Sequence, residues 1–291
     1  MDVARTLTVE GVGLHYRLLR SGADRAPLVL LHGVASNLTR WSEFVEHTTL
    51  KASWDLLRVD LRGHGESLTR GPGGMERWSD DLAAILDAEG YSRAVLVGHS
   101  LGANLAVHFG QRHPTRVAGL VLIDPVLSEA LHGRARWISR MAPLGRALAA
   151  AVRCLNGLGL HRRRLPALDL RRLDEATRKE LLAAGRTDAF VRRYGSPFAD
   201  LEFVPTAAYL QDVVELVRPL PPLAAIGAPV LALLSQGITF TDLEATARLL
   251  RALPRVEIER LDAYHWPLTE QPVTVREAIE RWCARLPAAR D

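Results

Sequence analysis

The chain has few cysteines, almost no lysine and no long apolar segment. Cys154 and Cys283 are its only cysteines, too few for the disulfide framework of a small secreted domain, so a reducing compartment is the default. No apolar run approaches the roughly 18 residues of a membrane-spanning helix, so we expect no integral membrane association. The first residues lack the charged start, apolar block and cleavage site of a secretion signal. We therefore expect a cytoplasmic protein.

The positive charge of the chain is almost entirely arginine. Lys51 and Lys179 are the only lysines, the net charge is +4, and the basic residues concentrate between Arg134 and Arg193, with a run at 161–164. Such a run can serve nucleic acid or an anionic membrane surface. No aromatic interleaving, repeat or recognition motif accompanies it, so we interpret it as a solvated helical face and expect no nucleic-acid partner.

Cofactor motifs are also absent from the sequence. It contains no metal-ligand cluster, no phosphate-binding loop and no dinucleotide fingerprint, so we expect neither a metal nor a cofactor. With 291 residues and 48% hydrophobic content, the chain can bury a large core as one α/β domain with an insertion. Its oligomeric state is left open.

The most informative motif is the pentapeptide Gly98-His99-Ser100-Leu101-Gly102. It follows directly after an apolar run at 94–97 and precedes a helical pattern of apolar residues at 103–109. A strand, a sharp turn and a helix are the setting of a nucleophile elbow, where the turn strains the serine backbone. The pattern predicts that Ser100 is a nucleophile.

Further landmarks appear in order along the chain. They are an apolar strand ending in His32-Gly33, the turn Asp60-Leu61-Arg62-Gly63-His64-Gly65-Glu66-Ser67, a second apolar run closing on Asp124, and the late segment Asp262–Pro267 with His265. Together with the pentapeptide, these motifs resemble the α/β-hydrolase family, in its serine esterase and lipase branch. The resemblance covers about residues 8–127 and 227–287, and it implies a doubly wound, mostly parallel β-sheet.

The hydrophobic period predicts where the insertion lies. An opening β-hairpin is expected near the N-terminus and a closing helix over 273–286, whereas helical spacing takes over between residues 128 and 226. Within it, Asp174-Glu175 is typical of a helix start, and a further helix is expected over 205–217. We therefore expect a core of residues 1–127 and 227–291 with a helical cap at 128–226.

The family resemblance assigns roles around Ser100. His265 is the expected base, because a serine hydroxyl is too weak an acid to attack without losing its proton to an imidazole. Backbone N–H groups of Val34 and Leu101 are the expected oxyanion donors. His32, His64 and His99 are expected to shape turns beside the site.

The orienting acid departs from the commonest family pattern. The loop after the expected strand at 229–234, where much of the family carries an aspartate, reads Ser235-Gln236-Gly237-Ile238-Thr239-Phe240-Thr241 without a carboxylate. Asp242 follows, but it is typical of a helix N-cap. Asp124 has the spacing from Ser100 found in a minority branch that includes haloalkane dehalogenases. We favour Asp124 and keep Asp242 as the alternative; the carboxylate within about 3 Å of His265 Nδ1 would be the acid.

These residues predict a serine hydrolase that cleaves carboxylic esters through an acyl-enzyme. Dehalogenases attack with aspartate, so that resemblance ends at Ser100, and a serine alkoxide suits acyl carbons. The alternatives are a carbon–carbon bond hydrolase, an aminopeptidase or an acyltransferase with the same triad, or a ligand-sensing protein with weak turnover. The expected partner is a small apolar ester or acyl substrate. Some of the large side chains Trp137, Met141, Phe198 and Tyr209 are expected to line its pocket together with Leu38 and Trp266.

Overall fold

An eight-stranded sheet forms the centre of the molecule. The computed structural model describes residues 2–22, 26–237 and 240–286, with the side chain of Arg134 outside the described part. The strands are β1 Asp2–Val9, β2 Val12–Leu19, β3 Leu28–Leu31, β4 Leu56–Val59, β5 Ala94–His99, β6 Val117–Ile123, β7 Val230–Ser235 and β8 Val256–Leu261. Their spatial order is β1-β2-β4-β3-β5-β6-β7-β8. Strand β2 runs antiparallel to β1 and to β4, and all other neighbouring strands run parallel, so the predicted mostly parallel sheet is confirmed.

The N-terminal hairpin forms as its alternating pattern predicts. Glu10 and Gly11 connect β1 to β2 with φ angles of 50° and 76°, and two consecutive positive φ angles match the twist that a two-residue hairpin requires. Leu14, Tyr16 and Leu18 point from β2 into the core, while the neighbouring positions are more exposed. The hairpin therefore covers one edge of the parallel sheet.

Twelve α-helices are found in the described residues. They are α1 Ser42–His47, α2 Met75–Ala88, α3 Leu101–Arg112, α4 Gly133–Arg140, α5 Ala142–Gly157, α6 Leu170–Thr177, α7 Thr187–Tyr194, α8 Pro197–Phe203, α9 Thr206–Leu216, α10 Leu243–Leu250, α11 Pro267–Glu270 and α12 Pro272–Arg285. Strands β3, β5 and β7 are buried along their whole length, and apolar clusters pack on both faces of the sheet. This is the arrangement expected of parallel strands covered by helices. None of the helices among the described residues is long and apolar enough to cross a membrane.

Six helices, α4 to α9, lie between β6 and β7 in the chain. The helix expected over 205–217 is confirmed by α9, but the expected helix start at Asp174 is wrong. Helix α6 begins at Leu170, where the side chain of Asp169 accepts a hydrogen bond from the Arg172 amide at 3.2 Å. Asp174 lies inside that helix and is buried, because it pairs with Arg40.

Two buried ion pairs connect these helices to the sheet domain. Arg40 donates to Asp174, which also accepts a hydrogen bond of 2.6 Å from the hydroxyl of Tyr194. The Nε2 atom of His64 lies 2.7 Å from Oδ2 of Asp212 on α9, and both side chains are fully buried. Burial opposes the charge of His64, but the Asp212 carboxylate, together with Asp60 and the backbone of Leu61, outweighs burial and raises the pKa of His64. Breaking one partner of such a pair leaves a buried charge and is strongly destabilising.

Candidate active site

Ser100 lies at the sharp turn between β5 and α3. Its φ of 53° and ψ of −115° place a non-glycine residue in a strained conformation. The two flanking glycines permit this turn, because a Cβ on Gly98 would lie 2.2 Å from the carbonyl oxygen of Gly102, and one on Gly102 would lie 2.5 Å from that of Leu31. The strand, turn and helix predicted from the pentapeptide are therefore present, with Ser100 at the turn between them.

His265 reaches Ser100 from the loop that follows β8. Its Nε2 lies 2.9 Å from the Ser100 hydroxyl oxygen, and both side chains are buried. Burial, with a smaller contribution from nearby His99, holds the pKa of His265 well below its usual value. A neutral imidazole in hydrogen-bonding contact with a serine hydroxyl can accept its proton.

Two side chains hold the backbone around His265. His99 donates from Nε2 to the carbonyl oxygen of His265 at 2.8 Å, and burial lowers the pKa of His99 to about 4. Glu270 accepts hydrogen bonds from the amides of Tyr264, at 2.9 and 3.0 Å, and Trp266, at 3.2 Å. The sequence interpretation missed Glu270, although a glutamate in the first turn after Pro267 is a signal for contact with amides just before a helix.

Of the two candidate acids, Asp124 is the one brought close to His265. It follows β6 with a φ of 45°, and one of its carboxylate oxygens lies within 4.8 Å of a ring nitrogen of His265. Its two oxygens accept hydrogen bonds from Ser235, at 2.7 Å from the amide and 2.6 Å from the hydroxyl. No hydrogen bond joins it to His265 within the described residues, so the expected 3 Å contact is not formed.

Asp242 has a separate structural role. It is exposed, and its carboxylate accepts a hydrogen bond of 2.7 Å from the amide of Ala245 at the start of α10. This is the N-cap that the sequence pattern indicates. Capping α10 explains why an aspartate stands at position 242. Among the described residues Asp124 caps no helix; its carboxylate is bound by Ser235 and lies close to His265. The assignment of the triad acid remains a prediction.

The carboxyl group of Asp124 is electrostatically unusual. Burial raises its pKa to about 7, the hydrogen bonds from Ser235 act in the opposite direction, and the negative charge of Glu270 adds to the rise. The carboxyl group therefore titrates near neutral pH, close to the histidine that contacts Ser100. Perturbed groups of this kind cluster at functional sites.

The loop after β3 lies against the nucleophile. A Cβ on Gly33 would lie 3.4 Å from the Cβ of Ser100. His32 fixes this loop, because its Nδ1 donates to the carbonyl of Gly33 at 2.9 Å and its Nε2 accepts from the amide of Leu61 at 3.1 Å. Val34 comes next in this loop. Leu101 is the first residue of α3, where backbone N–H groups lack partners within the helix.

The residues expected to line an acyl pocket are found in different environments. Leu38 and Trp266 are buried, and Trp266 contacts the rings of Phe190, Tyr194 and Phe240. Met141 and Tyr209 are half-buried. In contrast, 62% of Trp137 and 88% of Phe198 are exposed. The structure thus does not gather these side chains into one enclosed pocket, and their role in substrate binding remains a prediction.

Two further features surround His265. A small pocket opens beside it, with Asp124, Ser235, Phe240, Leu243 and Thr246 in its lining. Among the described residues, one group brings three potential metal ligands within 4.8 Å of one another, namely His99, Asp124 and His265. The Nε2 atoms of both histidines and both Asp124 oxygens already make hydrogen bonds within the protein.

Comparison with known proteins places this geometry in a family. The alpha/beta hydrolase fold family matches residues 26–272. The sn-1-specific diacylglycerol lipase ABHD11 of Mus musculus is 23% identical over 93% of this chain and 85% of its own length. Lipase LipV of Mycobacterium tuberculosis is 34% identical over 35% of this chain. The acetyltransferase component of an acetoin cleaving system from Pseudomonas putida is 37% identical over 40% of it. The chain spans only 38% and 33% of the lengths of these last two relatives.

Solved structures resemble the chain over nearly its whole length. A thermophilic esterase from Thermogutta terrifontis has a TM-score of 0.68 at 24% identity, covering 98% of this chain and 99% of its own. An enol-lactonase from Burkholderia xenovorans has a TM-score of 0.69 at 20% identity, covering 97% and 100%. At these identities the likeness establishes the fold. The chain belongs to the alpha/beta hydrolase fold family.

Proposed function

We propose that this protein is a serine hydrolase that cleaves carboxylic esters. The observation that carries the proposal is the 2.9 Å contact between the strained Ser100 and the buried, neutral His265. A hydroxyl with an imidazole base within hydrogen-bonding distance is the essential part of a nucleophilic site. The esterase, lactonase and lipase names among the relatives support an acyl substrate.

The mechanism follows from the positions of the side chains. His265 Nε2 takes the hydroxyl proton as Ser100 Oγ bonds to the acyl carbon, and the imidazolium returns the proton to the leaving alcohol. The N–H groups of Val34 and Leu101 stabilise the oxyanion that forms. A water molecule, activated by His265, then hydrolyses the acyl-enzyme and releases the acid.

Asp124 is the acid in this mechanism. As an anion beside His265, it stabilises the imidazolium, and the interaction strengthens when the carboxylate moves from its separation of up to 4.8 Å into a hydrogen bond. Catalytic hydrogen bonds are often long before substrate binds. Ser235 keeps the carboxylate ionisable, because its two hydrogen bonds counteract the effect of burial on the pKa of Asp124.

The hydrogen bonds of Arg40 favour an ester as the substrate over an acidic ring-cleavage product. A carbon–carbon hydrolase for such products would need a buried cation free to bind a carboxylate. Arg40 is buried, but its guanidinium donates to Asp174 and to Thr269. Its charge is therefore balanced within the protein.

The test is hydrolysis of a substrate panel by the wild type and by Ser100→Ala. We expect p-nitrophenyl esters of short and medium acyl chains to be cleaved, and an anilide and a vinylogous diketone to be cleaved far more slowly. Ser100→Ala should lose several orders of magnitude in kcat, while Ser79→Ala, which alters another buried serine on α2, should keep it. Preference for the diketone would instead assign carbon–carbon bond hydrolysis, and undiminished turnover by Ser100→Ala would refute the nucleophile.

A further inference from the structure

Helix α5 presents its apolar face to solvent. Leu144, Leu148 and Leu155, and Leu158 directly after the last residue of the helix, recur at the spacing that places side chains on one side of a helix. These four side chains, the α5 stripe, are each between 46% and 76% exposed. A different side of the helix is the packed one, since Ala149 is buried and a Cβ on Gly145 would meet Val214 of α9 at 2.9 Å.

The exposed apolar surface continues beyond α5 in both directions along the chain. Trp137 and Ile138 on the preceding α4 are exposed, and so is Leu160 after the helix. A surface helix ordinarily turns such residues towards the core, because burying them releases water from apolar surface. So many large exposed apolar side chains within one short stretch of the chain indicate a contact surface rather than ordinary solvent exposure.

The charge of the same segment is entirely positive. Residues 130–168 contain no aspartate or glutamate, and they contain eight arginines: Arg134, Arg136, Arg140, Arg146, Arg153, Arg162, Arg163 and Arg164. None of the seven whose side chains are described forms an ion pair with a carboxylate of the described residues. Arg162 donates only to backbone carbonyls, those of Glu202 and Val204. Of the arginines that follow this segment, Arg171, Arg178 and Arg218 pair with glutamates.

One side of α5 thus carries exposed leucines, and the arginines around them form no ion pair with a described carboxylate. A partner for this surface must be both apolar and negatively charged. We propose that α4, α5 and the arginine run at 162–164 bind the surface of an anionic phospholipid bilayer, with the α5 stripe inserted among the acyl chains. An amphipathic helix lies in the plane of such an interface with its apolar face inward and its cationic residues at the headgroups. Helix α5 has 16 residues, which suits this orientation, whereas a spanning helix needs about 20.

The two other candidate partners fit the surface less well. A second copy of this chain would bring the same unpaired arginines against these, and like charges across an interface are costly. A nucleic acid would neutralise the arginines but would leave the leucines in water, because phosphate contacts come from basic and polar groups. Only a lipid surface satisfies both the charge and the apolar area. The proposal replaces the interpretation of the arginines as a merely solvated face.

Vesicle co-sedimentation tests the proposal without relying on catalysis. The wild type and Ser100→Ala should bind equally to vesicles of equimolar phosphatidylglycerol and phosphatidylcholine, and at least about tenfold more weakly to phosphatidylcholine alone. Replacing Leu148 and Leu155 together by glutamine should weaken binding to the anionic vesicles by roughly tenfold or more. The matched control replaces Leu68 and Val273, which are exposed elsewhere, and should bind as the wild type does.

A second pair of variants tests the charge. Replacing Arg162, Arg163 and Arg164 by glutamine should weaken binding and reduce its dependence on salt. Replacing the exposed Arg248, Arg251 and Arg255 removes the same charge from another surface and should change little. Circular dichroism and thermal unfolding check that every variant is folded.

Several outcomes would overturn the proposal. One is failure of the wild type to bind anionic vesicles, and another is unchanged binding by the double leucine variant. A dimer in sedimentation velocity that the leucine variant dissociates would assign the α5 stripe to a second copy. Binding to duplex DNA that needs the arginines but not the leucines, in the absence of vesicle binding, would assign the surface to nucleic acid.

Discussion

Replacing Asp124 by asparagine removes the negative charge beside His265 and keeps the shape of the side chain. The loss of catalytic rate can be estimated from the separation of up to 4.8 Å between the Asp124 carboxylate and the His265 imidazole. At an effective dielectric constant of about 20, an anion and an imidazolium at that distance attract by about 3.5 kcal/mol, a factor of several hundred in rate. Contraction to a hydrogen bond in the transition state raises the expected loss in kcat to roughly 10³–10⁴.

The same variant should change the pH dependence of the reaction. Activity requires the Asp124–His265 pair to carry no proton, and burial raises the pKa of Asp124 to about 7. The kcat/KM of the wild type should therefore rise with pH through a value near 7 and fall off below it. In Asp124→Asn only His265 remains to titrate, and because burial holds its pKa well below the usual value, the acid limb should move to lower pH.

The assay is hydrolysis of p-nitrophenyl acetate followed across a range of pH, with circular dichroism to confirm folding. Asp242→Asn is the matched control: it should keep its activity and its acid limb, and lose at most about 1 kcal/mol of stability through the weakened cap of α10. A loss of less than tenfold in Asp124→Asn, or an acid limb that does not move, would refute the assignment of Asp124. A larger loss in Asp242→Asn would transfer the role to that residue.

Two further predictions concern the fold around the site. Gly102→Ala should lower the free energy of unfolding by about 2 kcal/mol or more, because its Cβ would meet the carbonyl of Leu31 at 2.5 Å; urea denaturation measures this, and Gly157→Ala, which has open space, should cost nothing. Asp174→Ala should destabilise the protein by about 3–5 kcal/mol, since it leaves the buried charge of Arg40 unpaired; a loss below about 1 kcal/mol would show that Arg40 is solvated.

The parts of the molecule that the sequence predicts well depend on local patterns. The apolar runs of β3, β5 and β7 are buried on both faces and so read as continuous hydrophobic segments. The pentapeptide predicts the turn at Ser100 because glycines at 98 and 102 are required by close backbone approach. The contact between Ser100 and His265, which are 165 residues apart, was expected only through the resemblance to a family.

The parts that the sequence does not reveal depend on distant partners. Asp174 looks like a helix start, but Arg40, 134 residues away, determines its burial. The hydrogen bond from His99 to the backbone of His265 leaves no trace in the residue types, since any carbonyl accepts it. The helices between β6 and β7 pack one face inward, and helical spacing alone does not say which face; for this reason the exposure of Trp137 and Phe198 was not foreseen.

Locating the acyl group on the protein tests directly whether Ser100 is the nucleophile. After brief reaction with p-nitrophenyl acetate and an acid quench, tryptic digestion should yield the peptide Ala94–Arg112, in which Ser100 is the only hydroxyl-bearing residue. We expect this peptide to gain the mass of one acetyl group, and fragmentation to place that group on Ser100. Turnover without any acylation of this peptide, or with the acetyl group on another residue, would contradict the assignment of Ser100 as the nucleophile.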